Sequence, residues 1–245
     1  MQHSKKVLIA IILLLMILSL TNANNTASYL NNGLFFITLY AEGYNQLENA
    51  AIHLKTGISE GRDVPDSLLL LGLIHQTQGQ YQQALKAYNQ LAIELPDEGW
   101  IYVLIGDMEQ ILGNQENALA SYEKALTVDQ YAKAHSGLAR ILASQNQSSM
   151  AIAAYEKSLE IATDFVSARI ELAKLYYTKS KWDEALENFE LANRYDPYIA
   201  EVHYYMGLLY YNDGDHPKAI HALERALQLD PSYSLAQQKL EGLTL

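Results

Sequence analysis

Seven histidines and no cysteine limit the chemistry open to this chain of 245 residues. Without cysteine there are no disulfides, no thiolate zinc ligands and no thiol nucleophile. No cysteine stands behind the N-terminal leader to carry a lipid. His216 and His221 lie five apart and share a helix face poorly, which argues against a metal pair. His75, His135 and His203 have no second signature around them and read as core or half-core substitutions. The stretch Asn212-Asp213-Gly214-Asp215 is acidic and turn-like but lacks the ligand order of a calcium loop. There is no nucleophile elbow, phosphate loop or zinc-protease motif. Nowhere does the sequence put together a nucleophile, a base and an orienting group. The reading is non-catalytic, with no metal and no cofactor. The 18 tyrosines are the remaining candidates, and they suit binding rather than bond-breaking.

The elements that position these residues follow from a repeat. Ala84, Ala118, Ala151, Ala185 and Ala219 are spaced 34, 33, 34 and 34 residues apart. Tyr88, Tyr122, Tyr155 and Phe189 keep the same phase, and a fixed period of this length marks a repeat architecture. With Pro65 as position one, full frames open at Asn31, Pro65, Gly99, Ala132, Val166 and Ala200. Position eight is small: Gly72, Gly106, Ala139, Ala173, Gly207. Position fifteen is Gly79, Gly113, Asn146, Ser180 and Gly214, which suits a left-handed residue ending a helix. Position twenty is alanine in all six frames, beginning with Ala50. Pro96, Pro197 and Pro231 stop the second helix of their frames. Positions eight and twenty fall on different helices, so small residues there let two backbones approach. Tyr176 and Tyr210 at position eleven, like the aromatics at twenty-four, are packing residues first.

This pattern resembles the tetratricopeptide repeat over residues 31–245, and is weakest in the first frame. The resemblance implies an all-α solenoid of antiparallel helix pairs in a right-handed superhelix. The repeats would span 31–64, 65–98, 99–131, 132–165, 166–199 and 200–233. A capping helix would follow over 234–245.

The resemblance also implies an inner wall built from the first helix of each frame, at positions two, five, nine, twelve and thirteen. Those positions hold Leu69 and Leu73, then Trp100, Val103 and Asp107. Next come Lys133 and Arg140, then Lys174 and Tyr177, then Tyr204 and Tyr211. Lys133, Arg140 and Lys174 would form a basic centre between apolar and aromatic flanks. It would suit a segment with an acidic middle, because cations pair with carboxylates and aromatics anchor. The other reading is that the three cations neutralise nearby acids such as Asp107 and Glu171. The carboxylate clamp of chaperone-binding relatives is missing: its Lys and Asn positions hold Val103 with Asp107, and Ser136 with Arg140.

The formal charge of −11 argues against nucleic acid as a general partner. Residues 1–23 are a different material. Lys5 and Lys6 precede the apolar run from Val7 to Leu20, and Thr21-Asn22-Ala23 follows. That is the layout of a secretory signal peptide. The 14-residue run is shorter than the roughly 20 residues that span a bilayer. Cleavage after Ala23 and retention as an N-terminal membrane anchor both remain open. Residues 24–30 form a polar linker. The expectation is an exported scaffold, periplasmic or extracellular, that holds a protein or peptide in its groove, with self-association undecided. The alternative is a membrane-tethered adaptor, and the least favoured reading is an enzyme subunit.

Overall fold

The computed structural model describes residues 44–61 and 63–244. The leader, the linker and the first helix of the first frame lie outside that range. The described residues hold helices and turns and no strand. None of these helices is long and apolar enough to cross a membrane. They fall into two compact units, the first ending at Tyr131 and the second beginning at Ala132.

In the first unit, α1 (Tyr44–Ser59) packs on α2 (Val64–Thr77). α2 pairs with α3 (Tyr81–Glu94), α3 packs on α4 (Gly99–Ile111), and α4 pairs with α5 (Gln115–Val128). The second unit repeats the scheme. Its pairs are α6 (Ala132–Ser144) with α7 (Ser148–Ile161), and α8 (Val166–Thr178) with α9 (Trp182–Tyr195). α10 (Ala200–Asn212) then pairs with α11 (His216–Leu229), on which α12 (Ser234–Thr244) packs. Turns of three residues join the two helices of each pair, and links that short make helices antiparallel neighbours. Within each unit every pair packs on the next, as in an α-solenoid.

Position fifteen makes the hairpins. Gly79, Gly113, Asn146, Ser180 and Gly214 all have positive φ, between 57° and 83°. Behind each, the next backbone N–H reaches back five residues to a carbonyl. The five bonds, Gln80 to His75, Asn114 to Glu109, Gln147 to Leu142, Lys181 to Tyr176 and Asp215 to Tyr210, measure 2.8–3.0 Å. That is the Schellman closure of a helix C-terminus. Of these five, Ser180 and Asn146 carry a side chain through this conformation, and serine is the less suited to it.

The recurring small residues have a sharper reason than the sequence offered. Position eight does more than admit a second backbone; it makes room for the ring at position twenty-four. A Cβ added to Gly72 would lie 2.2 Å from Tyr88 Cε1, and one on Gly106 would lie 2.7 Å from Tyr122 Cε1. On Gly207 it would meet Leu223 Cγ at 2.8 Å and the Ala219 carbonyl at 3.3 Å. Tyr88, Tyr122, Phe189 and Leu223 are fully buried, as are the alanines of position twenty from Ala84 to Ala219.

Buried tyrosine hydroxyls need acceptors, and the repeat supplies them. Tyr88 donates to Gln76 Oε1 (2.9 Å), and Tyr122 to Asp107 Oδ1 (2.8 Å). At position eleven, Tyr176 donates to Glu156 (2.6 Å) and Tyr210 to Glu190 (3.0 Å). Each joins a frame to the one before it. Position four is a second tie: Tyr102, Arg169 and His203 each bond the backbone carbonyl six residues earlier, on Pro96, Thr163 and Pro197.

Candidate functional site

Two of the histidines first considered for chemistry, His75 and His203, are occupied within the fold. His203 is buried with Nε2 on the Pro197 carbonyl at 3.1 Å. His75 is buried with Nδ1 on Gln80 Oε1 at 2.6 Å. Burial lowers the pKa of His75, and also that of His135. Among the described residues no group of three or more His, Asp or Glu side chains could hold a metal ion.

In the first unit the wall expected from the frame is interior. Leu69 and Leu73 on α2, and Trp100, Val103 and Asp107 on α4, are all buried. The Trp100 indole N–H donates to Glu98 Oε2 at 2.8 Å, and Asp107 accepts from Tyr122. This corrects the expectation of an open face there. The reason is local: α2 carries Leu68 to Leu71 in one run, and α4 reads Trp100-Ile101-Tyr102-Val103-Leu104-Ile105. Continuous apolar runs like these cover more of the helix than the single stripe of an amphipathic one, so more of it is buried.

In the second unit the same frame positions remain accessible. Arg140 is exposed, and Lys133, Lys174, Tyr177, Tyr204 and Tyr211 are partly exposed. Of the three cations, Lys174 is paired within the unit. Lys174 is clamped between Glu171 (3.0 Å) and Glu201 (3.1 Å). Burial pulls its pKa down, but hydrogen bonds and attraction from the two carboxylates outweigh that and leave it raised. Its charge is spent inside the unit.

The aromatics do converge. Ring centroids run from Trp182 to Tyr177 (5.2 Å), Tyr177 to Tyr205 (5.3 Å), Tyr205 to Tyr204 (5.4 Å) and Tyr204 to Tyr233 (5.2 Å). Interplanar angles are 60–72°, edge to face, the arrangement aromatic pairs prefer. Tyr205 also stacks on Phe189 of the core, with centroids 5.1 Å apart and planes 7° apart, which fixes the ladder to the fold. Tyr211 carries the Lys239 ammonium 3.4 Å from its ring centroid. Sequence reasoning missed Trp182, Tyr205, Tyr233 and Lys239, which lie outside the five wall positions. The Tyr204-Tyr205 doublet was the one available signal.

Profiles of the tetratricopeptide repeat match residues 66–97, 97–164 and 200–233, together more than half of the chain. The chain belongs to the tetratricopeptide repeat family. A general transcriptional corepressor, ssn6 of Schizosaccharomyces pombe, is 28% identical over 58% of this chain and 13% of its own length. The TPR repeat-containing protein YpiA of Bacillus subtilis is 24% identical over 84% of this chain and 49% of its own. The chain thus spans at most about half the length of these relatives. Among solved structures, YrrB, described as a TPR protein with an unusual peptide-binding site, superimposes with a TM-score of 0.58. It is 20% identical, with 78% of this chain and 99% of YrrB covered. That likeness is one of fold, and the ladder is read from this tetratricopeptide array alone.

Around the ladder, burial raises the pKa of Tyr177, Tyr204, Tyr205 and Tyr233, with Glu201 adding to the effect at Tyr205 and Tyr233 and Glu171 at Tyr205. These phenols stay protonated, and are donors, across the physiological range. Among the described residues, none of the four donates to a protein acceptor. Tyr176 and Tyr210 differ, since their hydroxyls close bonds inside the fold. The tetratricopeptide unit therefore keeps two sets of tyrosines, one whose hydroxyls close bonds within the scaffold and one, half-buried, whose hydroxyls have no acceptor among the described residues.

Proposed function

We propose that this tetratricopeptide chain is a non-catalytic interaction scaffold that docks a peptide or protein segment on the aromatic face of its second unit. The observation that carries this reading is the ladder from Trp182 to Tyr233. Its rings are partly exposed, Tyr205 stacks on Phe189 of the core, and among the described residues its hydroxyls have no partner. Rigid aromatics with a polar end are the residues that anchor partners at interfaces. YrrB, a relative in fold, is described as having a peptide-binding site, which fits the reading.

Affinity capture tests it, with the chain and a Tyr177→Ser/Tyr204→Ser variant as baits. A partner held by the first and lost by the second, at equal helicity, supports docking on this face. Equal capture by both baits refutes it.

The order of residues 1–23 supports a place outside the cytoplasm for this scaffold. The mass of the mature protein decides between the two forms. Loss of the first 23 residues fits an exported scaffold, and their retention fits a membrane-tethered adaptor. Nucleic acid is not among the partners proposed, given the acidic chain.

A further inference from the structure

We infer that the second unit holds a small-molecule site apart from the ladder, in a cavity between α9, α10 and α11, for a flat, uncharged aromatic molecule with one hydrogen-bond donor. The cavity measures about 420 Å³, within the size of small-molecule pockets. His203, Met206 and Tyr210 line it from α10, three and four residues apart, as one face of a helix does. The ladder takes Tyr204 and Tyr205 from a different face of the same helix. Asn193 borders the cavity from α9, and Lys218, His221 and Ala222 from α11.

The frame before shows why there is room. Position four is Arg169 there and His203 here; position twenty-three is Asn188 there and Ala222 here. Arg169 and Asn188 reach each other, Nη1 donating to Oδ1 at 3.3 Å. Histidine and alanine are shorter at the two places, and the space between them stays open. Position twenty-eight of the preceding second helix changes as well, from Leu159 to Asn193. An apolar side chain gives way to a polar one just where the space opens.

Asn193 sets the donor. Its Oδ1 is buried with no hydrogen-bond partner among the described residues. Buried acceptors are nearly always satisfied, so this one favours a ligand that brings an N–H or O–H. Charge narrows the class further. Lys218 is the one lining residue with a fixed charge, and Asp215 holds its ammonium at 2.8 Å. Asp213 and Glu190 also stand near Lys218, but neither acid lines the cavity. The Tyr210 hydroxyl is spent on Glu190 at 3.0 Å. A charged ligand would give up its hydration with no charge on the lining left to meet it. Met206 and Ala222 are buried, and with the rings of His203 and Tyr210 they suit a flat aromatic body. A thioether and ring edges are favourable neighbours of such a ring.

Indole is the probe, and N-methylindole, with the same ring and no donor, is the control. Each is titrated against the full chain carrying methyl-labelled methionine, and the Met206 methyl signal is followed by nuclear magnetic resonance. Indole should shift it saturably, and N-methylindole should bind about fivefold more weakly, the worth of one hydrogen bond. Asn193→Leu should bring the two probes to equal affinity. Ala222→Asn should fill the space and abolish binding of both. The two substitutions copy the residues found one frame earlier, and circular dichroism checks that each variant keeps its fold. A Met206 signal that does not shift saturably at millimolar indole overturns the inference, as does equal affinity of the two probes for the unaltered chain. Indifference of indole binding to either folded variant overturns it too. None of these results bears on the ladder, where capture turns on Tyr177 and Tyr204.

Discussion

Gly72→Ala tests the packing logic of the repeat most directly. An alanine at a helix interior normally gains about 1 kcal/mol over glycine. Here the new Cβ would sit 2.2 Å from Tyr88 Cε1, 2.7 Å from Cδ1 and 2.8 Å from Cζ. The ring has no free space to retreat into, since Tyr88 is 0% exposed. Its hydroxyl is tied to Gln76 at 2.9 Å, and shifting the ring puts that bond, worth about 1 kcal/mol, at risk. Overpacking of this kind costs about 1–3 kcal/mol. The expected net effect is a loss of about 1–3 kcal/mol, the helix gain offsetting only part of the strain. Gly106→Ala meets Tyr122 at 2.7 Å and should cost less. Ala139 already holds the same position beside buried Tyr155, so Ala139→Gly should destabilise by about 1 kcal/mol through propensity alone. Urea unfolding followed by far-ultraviolet circular dichroism reads the order, and hydrogen exchange in α2 and α3 localises it. If Gly72→Ala raised stability by about 1 kcal/mol, the claim that position eight exists to house the ring would be refuted.

Ser180 sits at φ 57° where other frames use glycine, so Ser180→Gly should stabilise by about 1 kcal/mol, read as a raised unfolding midpoint. Asn146→Gly should do less, because asparagine tolerates that conformation better. Tyr176→Phe removes a 2.6 Å bond to Glu156 and should cost about 1 kcal/mol by urea denaturation. Tyr210→Phe should cost less, because its bond to Glu190 is longer and exposed. Burial and then the Glu190 bond push the Tyr210 phenol up to about 12, and Glu190→Gln should bring it down in a spectrophotometric titration. Asp215 caps α11: its carboxylate pairs with the Lys218 ammonium at 2.8 Å and accepts from the Lys218 backbone N–H at 3.1 Å, which lowers its pKa. That contribution is complete above about pH 4 and lost as pH falls through the lowered value. Asp215→Asn should flatten this part of the melting profile while leaving the helix capped.

The sequence alone determined the helix pairs, because their signals are local and repeat. A left-handed residue at position fifteen, alanine at twenty and a ring at twenty-four each act within one frame, so Gly79, Ala84 and Tyr88 could be read in register. It also marked Tyr176 and Tyr210 as scaffold residues, and their hydroxyls prove to join successive frames. The surface was less legible, because it depends on what neighbouring frames place beside each position. Frame arithmetic put Leu69 and Val103 on an open wall, but both stand in continuous apolar runs of α2 and α4 and those side chains are interior. It left open whether Lys174 pairs with nearby acids; Glu171 lies one turn away on the same helix and Glu201 comes from the next frame, and both hold it. Tyr205 and Tyr233 held no wall position, and only the packing of α8, α10 and the turn before α12 brings their rings into line with Tyr177 and Tyr204. Period and turn chemistry are written along the chain. Which rings meet and which charges cancel depends on distances of 3–5 Å between residues about 30 apart, and tertiary structure alone sets those.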